Sequence, residues 1–300
     1  MSITLATTAT QFLQRQGLAK STLRSYEQIL LPLLKKYGHW PIELLDSQTL
    51  SEYLLELTHL SYTTHNHHQT VINALLNFAV NSNYIKTNPI GQLPKRKPER
   101  NRDKHNTDQT IHYLTTDQLS NLYKVIIINY RLYTIVKLLH ATGARIDELL
   151  AIDLEQIDQK NYKFQVIGKG NLIRWCYYNK DTQVVLEKYL EYYRHQPHPA
   201  LFTAQQPFSK EITRVSYRTV NKDWKKSTQN HPLLEGVRLH DLRHTFATER
   251  VGLIGIEELR ALMGHQSITT TLRYQKVTSQ KAEFAAQKAF KLLEDLQLKK

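Results

Sequence analysis

Apolar residues recur every three to four positions along most of the chain, the spacing that places them on one face of an α-helix. Three such segments lie between residues 21 and 83, each preceded by a serine, threonine or aspartate that can cap a helix. Gly38 ends the first segment, and Asn88-Pro89 closes the region. The pattern therefore predicts an all-helical domain over residues 1–91.

The helical pattern resumes near Leu114, and the segment Tyr130 to His140 is apolar nearly all round, which predicts a buried helix. Two β-branched and aromatic runs, Tyr162 to Ile167 and Leu172 to Tyr178, flank a glycine-rich turn and predict an antiparallel hairpin. Helices are predicted again at 142–152, 182–194, 209–227 and 257–263. The chain is therefore expected to be mainly α with a small antiparallel β-sheet, and residues 113–280 to form a second domain.

The balance of charge points to a polyanionic partner. The chain has 40 Lys and Arg against 27 Asp and Glu, a formal net charge of +13, which makes nucleic acid the leading candidate. Between the two predicted domains, residues 92–112 have no apolar periodicity and are predicted to be a linker. Its basic residues are candidates for contact with DNA phosphates: Lys95, Arg96, Lys97, Arg100, Arg102 and Lys104.

Several protein classes are excluded by composition. The single Cys176 rules out a disulfide framework or a cysteine-rich zinc site. No apolar run is long enough to cross a membrane, and the start of the chain lacks a secretory signal pattern. We therefore expect a cytoplasmic protein with no membrane contact. His67 and His68 are adjacent on a predicted helix and point to different faces, which disfavours a metal site there.

The candidate chemistry is concentrated between Val237 and Val277, where His240, Arg243, His265 and Tyr274 all occur. A tyrosine hydroxyl beside several cationic donors is suited to attack on a phosphodiester without a metal. Gly264 stands where a helix C-cap is expected, directly before His265. Upstream, Arg145 and Glu148 are three residues apart and can form an ion pair on one helix face; alone, that pair indicates only a surface contact.

These residues lie in motifs that resemble the tyrosine recombinase (phage integrase) family. The resemblance rests on HDLRHTFAT, on LMGH, and on a tyrosine nine residues after that histidine. It extends to TGARIDEL around Arg145 and to the hairpin GKGNLIR, which contains Lys169. The family implies a two-domain, C-shaped clamp around DNA, with residues 1–91 as a core-binding DNA-binding domain and 113–280 as the catalytic domain.

The resemblance also implies the reaction. Arg145, Lys169, His240, Arg243 and His265 would surround the scissile phosphate, Tyr274 would attack it, and Glu148 would support Arg145. The expected intermediate is a 3′-phosphotyrosine, from which strands would be rejoined without ATP, metal or cofactor. Nearby guanidinium groups are expected to lower the pKa of the tyrosine, and the lysine is the candidate general acid for the leaving 5′-oxygen. The roles of the two histidines, as phosphate ligands or proton carriers, remain open.

The expected assembly is a homotetramer, or a heterotetramer with a second recombinase, on two copies of a specific double-stranded DNA site. The tail, residues 281–300, has helical spacing and is predicted to dock on a neighbouring protomer. Length and motifs are most similar to the Xer-type branch, which implies chromosome dimer resolution on the nucleoid, with a DNA translocase as a possible partner. An integrase or excisionase of a mobile element is the alternative.

Three other interpretations account for parts of the sequence. His240 and His244 have the spacing of a zinc-peptidase helix, but Asp241 stands where that motif requires glutamate, and His244 is interpreted as structural. A type IB topoisomerase would use the same tyrosine chemistry as a monomer. A DNA-binding regulator without catalysis is disfavoured because every expected active-site position is filled.

Overall fold

The computed structural model describes residues 2–97, 111–168, 171–275 and 286–290. The chain divides into two compact units, Met1–Asp108 and Gln109–Lys300, and the division falls inside the segment predicted to be a linker. Lys169, three of the basic linker residues (Arg100, Arg102 and Lys104) and most of the predicted C-terminal helix lie outside the described residues.

The described secondary structure of the first unit is helical apart from an isolated β-bridge between Thr4 and Pro41. Its α-helices are α1 (Leu5–Leu13), α2 (Lys20–Tyr37), α3 (Ser47–Glu56) and α4 (Tyr62–Asn81), with short 3₁₀ turns at Ile42–Leu44 and Leu57–His59. The side chains of Thr4, Asp46 and Ser61 accept backbone N–H bonds at the starts of α1, α3 and α4. The apolar faces enclose a core that includes Leu30 and Leu75, both fully buried.

The beginning of the basic segment is fastened to this first unit. Asn66 on α4 exchanges two hydrogen bonds of 2.9 Å with the backbone of Arg96. The Arg96 guanidinium donates to the carbonyls of Thr58 and Leu60, at 3.1 and 2.9 Å, and so satisfies the end of the preceding turn. The Arg96 side chain and backbone are therefore both engaged within the first unit.

The second unit is also mainly helical. Its helices are α5 (Thr116–Ile126), α6 (Tyr130–Thr142), α7 (Ile146–Ala151), α8 (Lys180–Tyr192), α9 (Tyr217–Thr228), α10 (Asp241–Arg250), α11 (Ile256–Met263) and α12 (Ile268–Leu272). Strands β1 (Ile157–Asp158), β2 (Lys163–Ile167) and β3 (Ile173–Tyr177) form an antiparallel sheet, and β4 (Thr203–Gln205) pairs with β5 (Ile212–Arg214). The predicted fold class, mainly α with small antiparallel sheets, is confirmed.

Two local predictions in this unit were wrong. The helix predicted over 209–227 begins only at Tyr217, because residues 212–214 pair with β4. Arg214 consequently belongs to a strand, and its guanidinium binds Asp153 at 2.6 Å. The helix predicted over 142–152 begins at Ile146, because Gly143 ends α6 in the left-handed conformation (φ 62°).

Helix α6 organises the second unit. It is buried on nearly every side and packs against α8 and α10. The turn after it is closely packed, because a Cβ on Gly143 would collide with the Phe246 ring of α10. Only glycine combines this contact with a positive φ at no steric cost. The turn therefore holds the loop containing Arg145 against α10, which contains Arg243.

Candidate active site

Five of the six predicted catalytic residues line one cavity of about 210 Å³ in the second unit. They are contributed by several separate elements: Arg145 precedes α7, His240 and Arg243 belong to the start of α10, His265 follows α11, and Tyr274 follows α12. Further residues complete the wall: Ile111, His244, Thr270 and Arg273. Folding thus brings together positions up to 163 residues apart, from Ile111 to Tyr274, in a single cationic pocket.

Arg145 is oriented by a buried carboxylate. As the N-cap of α7, it donates its backbone N–H to Glu148 Oε2 and its guanidinium to Oε1, each at 2.8 Å. Arg174 on β3 makes two further bonds to the same carboxylate, at 3.0 and 2.7 Å. Burial opposes ionisation of Glu148, but the bonds from Arg174 and Arg145 outweigh it and lower its pKa. The charged carboxylate therefore holds Arg145, whose side chain is 37% exposed, at the cavity.

Arg174 was not singled out by sequence reasoning. It lies in the quoted hairpin motif, but nothing in local spacing links it to Glu148, which is 26 residues earlier. Its guanidinium also donates to the Leu262 carbonyl at 3.3 Å, so it connects the hairpin to the end of α11. Arg174 is therefore a positioning residue for Arg145.

Arg243 is the most deeply buried cation of the cavity, with 4% exposure. Its guanidinium donates to the Gly143 carbonyl after α6 and, at 2.6 Å, to the Met263 carbonyl at the end of α11. Burial, with the nearby charges of Arg145 and Arg174, lowers its pKa to about 10. The guanidinium remains protonated at neutral pH. Its bonds to carbonyls at the ends of α6 and α11 fix the direction of its other N–H donors.

The two predicted histidines, His240 and His265, are held by different local structures. His265 follows Gly264, which ends α11 with φ 63° as predicted, and its Nδ1 lies 2.9 Å from Thr271 Oγ1. Burial and Arg243 lower the pKa of His265 to about 4. His240 is the N-cap of α10 and not a residue inside the helix, and burial with Arg243 lowers its pKa as well. Both imidazoles are neutral at neutral pH.

The hydroxyl of Tyr274 lies 2.7 Å from His244 Nδ1. The ring is 9% exposed and stacks parallel to His265, with 6.3 Å between centroids. Burial raises the pKa of Tyr274, and the opposing charges of Arg243, Arg273 and Arg145 do not overcome it. The guanidinium groups do favour the phenolate, as expected from the sequence, but desolvation of the phenol is the larger effect and the net shift of the pKa is upward. His244, interpreted from sequence as structural, contacts the predicted nucleophile.

Neither a metal site nor a membrane span is found among the described residues. Across the ranges described above, no three His, Cys, Asp or Glu side chains are grouped so that they could hold a metal ion. Asp241, considered above as part of a zinc-peptidase motif, accepts bonds from the backbone and guanidinium of Arg238 at 2.8 and 2.9 Å. No helix among the described residues is long and apolar enough to span a membrane.

We expect the second unit to lose stability as pH falls from about 6.5 to about 4. The pKa values of His244 and His265 are lowered from 6.5 to about 4 in the folded state. Over that range the unfolded chain binds protons that the folded chain does not, so the free energy of unfolding falls with pH. Urea unfolding at a series of pH values measures this slope. A variant with both histidines replaced by glutamine should show a shallower decline, and an equal decline would contradict the assignment.

Solved structures share this fold. The Tn1549 transposon integrase, in complex with a circular intermediate DNA, superposes with a TM-score of 0.73 at 20% identity, covering 96% of this chain and all of that one. A lambda integrase tetramer bound to a Holliday junction gives a TM-score of 0.70 at 16% identity, covering 91% of this chain and 77% of that one.

Sequence relatives carry a consistent name. The tyrosine recombinase XerC of Staphylococcus carnosus is 26% identical over 274 residues, which cover 87% of this chain and 88% of that protein. The tyrosine recombinase XerC of Caldanaerobacter subterraneus subsp. tengcongensis is 34% identical over 183 residues, 59% of this chain and 50% of that protein.

Residues 112–281 match the phage integrase family. The matched segment is more than half of the chain, and it contains all six predicted catalytic positions, from Arg145 to Tyr274. The cavity described above lies almost entirely within it. The chain therefore belongs to the phage integrase family, the tyrosine recombinases.

Proposed function

We propose that this protein is a site-specific DNA recombinase that cuts and rejoins DNA through a 3′-phosphotyrosine formed on Tyr274. The observation that carries the proposal is the cavity in which a buried tyrosine hydroxyl lies beside two oriented arginines, Arg145 and Arg243, and two neutral histidines. A phosphodiester needs such donors during displacement, because charge accumulates on its non-bridging oxygens. The family membership and the names of the relatives support the same activity.

The two arginines are assigned to those oxygens. A guanidinium can donate two parallel hydrogen bonds to a phosphate, which the ammonium of lysine does less well. Both groups are held before substrate arrives, Arg145 by Glu148 and Arg243 by two carbonyls. Preorganised donors act without further rearrangement when charge develops. His240 and His265 complete the pocket as neutral hydrogen-bonding groups.

The covalent step follows from this arrangement. The Tyr274 oxygen attacks the phosphorus, the bond to the 5′-oxygen breaks, and that oxygen takes a proton to leave as a 5′-hydroxyl. Lys169, between the glycines of the β2–β3 turn, is the proposed acid, although it lies outside the described residues. The phosphotyrosine conserves the energy of the broken bond, so a second 5′-hydroxyl can reverse the step. The proposed chemistry draws on no metal, nucleotide or other cofactor.

We assign the remaining parts of the chain to DNA binding and assembly. The first unit and the described basic residues Lys95 and Lys97 contact the duplex, and residues 281–300 dock on a neighbouring protomer. The working assembly is a tetramer on two copies of a specific site, as a homotetramer or with a second recombinase. Structural neighbours are integrases in complex with DNA, one of them a tetramer on a Holliday junction.

The biological role we propose is chromosome dimer resolution in the cytoplasm, at the nucleoid, with a DNA translocase as a candidate partner. The alignment with a XerC that covers 88% of that relative favours this role. Integration or excision of a mobile element is the second candidate, favoured by the fold shared with a transposon integrase.

The activity is tested with a plasmid that contains two directly repeated copies of a duplex that the protein selects from a randomised pool. We expect two smaller circles in buffer with EDTA and without ATP, because neither step draws on a metal or a nucleotide. The control plasmid contains one copy. Relaxation of the one-site plasmid without exchange between sites would indicate a topoisomerase, and tight binding with no covalent complex would indicate a regulator. Either result would contradict the proposal.

A further inference from the structure

We infer that His244 takes the hydroxyl proton of Tyr274 as the tyrosine attacks the phosphate, and is therefore a further catalytic residue. This inference rests on the function proposed above. Its geometric basis is direct, because His244 Nδ1 lies 2.7 Å from the Tyr274 oxygen, within ordinary hydrogen-bond distance. The two residues are 30 positions apart, on α10 and on the turn after α12, so the contact is made by the tertiary fold.

The imidazole is in a state that can accept a proton. Burial and the adjacent His240 lower the pKa of His244 to about 4, so the ring is neutral at neutral pH. In the tautomer with its hydrogen on Nε2, Nδ1 has a free lone pair and accepts from the tyrosine O–H. The neighbouring His240 ring is edge-on, with 4.7 Å between centroids. The titratable and charged groups that act on His244 are His240, Asp241, Arg238 and Arg243, together with the Tyr274 hydroxyl.

The nucleophile needs such a base. Burial raises the pKa of Tyr274 above its ordinary value of 10, so little phenolate exists at neutral pH. The cavity's guanidinium groups stabilise the phenolate but do not reverse the shift. A base in hydrogen-bond contact can remove the proton as the new bond forms, which avoids a free phenolate.

The other histidines are less well placed for this step. His265 presents its ring face to the tyrosine ring, parallel within 1°, and its Nδ1 is engaged with Thr271. His240 lies edge-on against the ring of His244. The position of His244 beside the Tyr274 hydroxyl, and not its residue type alone, identifies it as the group that takes the hydroxyl proton.

The step balances without a co-reactant. The tyrosine O–H bond breaks and its proton moves to Nδ1, while the oxygen forms a bond to phosphorus. The bond from phosphorus to the 5′-oxygen breaks, and that oxygen is protonated by a separate acid. In rejoining, His244 returns its proton to the departing tyrosine oxygen. The incoming 5′-hydroxyl gives its proton to the group that acted as the acid in cleavage, which is deprotonated at this stage. One histidine thus acts as base in cleavage and as acid in rejoining.

The test is single-turnover cleavage of a nicked duplex, selected by the wild-type protein from a randomised pool, by wild type and His244→Gln. Glutamine keeps a hydrogen-bonding side chain but cannot take the proton. We expect cleavage to be slower by about 10²-fold or more at neutral pH, the scale of general base catalysis. The variant's rate should rise with pH as phenolate forms, whereas the wild-type rate should be flat over the same range.

Two further measurements separate a base from a structural role. Incorporation of a fluorinated, more acidic tyrosine at position 274 should restore cleavage by the His244→Gln protein, because a readily ionised nucleophile needs no base. A duplex with sulfur in place of the bridging 5′-oxygen should rescue Lys169→Ala but not His244→Gln, since a thiolate leaves without a proton. Unchanged DNA binding and an unchanged melting temperature show that the variant is folded.

The outcomes are distinct. Cleavage by His244→Gln at the wild-type rate with a flat pH profile, or failure of the fluorinated tyrosine to restore it, overturns the inference and leaves the recombinase assignment intact. Absence of any covalent complex with the wild-type protein overturns the proposed function, and the inference with it.

Discussion

Replacement of Tyr274 by phenylalanine is expected to abolish covalent attachment to DNA completely, while binding to the site remains near the wild-type level. The change removes one oxygen, which is the only atom we propose to form a bond to phosphorus. The ring stays in place because its packing against His265 and the Phe246 and Met263 cluster does not depend on the hydroxyl. A covalent protein–DNA band on a denaturing gel, from a nicked duplex in EDTA, measures the effect.

A matched control is available for Tyr274→Phe. Tyr192 is the last residue of α8 and is 67% exposed. Tyr192→Phe therefore removes a phenolic hydroxyl that does not line the cavity. It should leave the covalent band unchanged. A band that persists in Tyr274→Phe would refute the assignment of the nucleophile and direct attention to another tyrosine.

The second large effect is expected for Arg243→Lys, which should slow cleavage by about 10²–10³-fold, the typical cost of one preorganised donor. Lysine keeps the positive charge but not the planar fork. It cannot bond both the Gly143 and Met263 carbonyls and still present two parallel donors to a phosphate. One buried carbonyl would lose its partner, so we also expect a lower melting temperature.

The matched control for Arg243→Lys lies on the same helix. Arg250 packs over the Phe246 ring, with its guanidinium carbon 3.8 Å from the centroid, and it does not line the candidate active site. Arg250→Lys should therefore change cleavage little. Cleavage rates of the two variants are compared at saturating protein, so that weaker DNA binding does not enter. Equal rates for Arg243→Lys and wild type would show that this guanidinium does not act on the transition state.

Many local features of the fold were predictable because they depend on short-range interactions. Asp46 was one of two adjacent candidates for a helix cap, and its side-chain oxygen does satisfy a free N–H group of the first turn of α3. The prediction that a side chain at Ser21 or Thr22 caps the first segment was wrong, because α2 begins at Lys20 after Ala19, without a side-chain cap. The glycine at position 264 was placed correctly at a helix end because it adopts positive φ at no steric cost. The hairpin of β2 and β3 was likewise predicted from two adjacent strands and their turn.

Errors occurred where the residue pattern did not reveal the pairing partner. Residues 212–214 were assigned to a continuation of α9, although they pair with β4, only 7 to 11 residues earlier, because neither short strand has a recognisable alternating pattern. The carboxylate of Glu148 was predicted to pair with Arg145, but the bidentate partner, Arg174, comes from another element. The catalytic roles of the predicted residues remain predictions, tested by the variants above.

The sequence by itself determined the family, the fold class and the set of cationic and tyrosine side chains, because motif spacing and helical periodicity are properties of the chain. Only the tertiary structure decided the electrostatic state of the site. Burial determines that the pKa of Tyr274 rises and does not fall, and packing places His244 within hydrogen-bond distance of its hydroxyl. Desolvation and hydrogen-bond partners depend on what surrounds an atom in three dimensions, so residue order alone does not specify them.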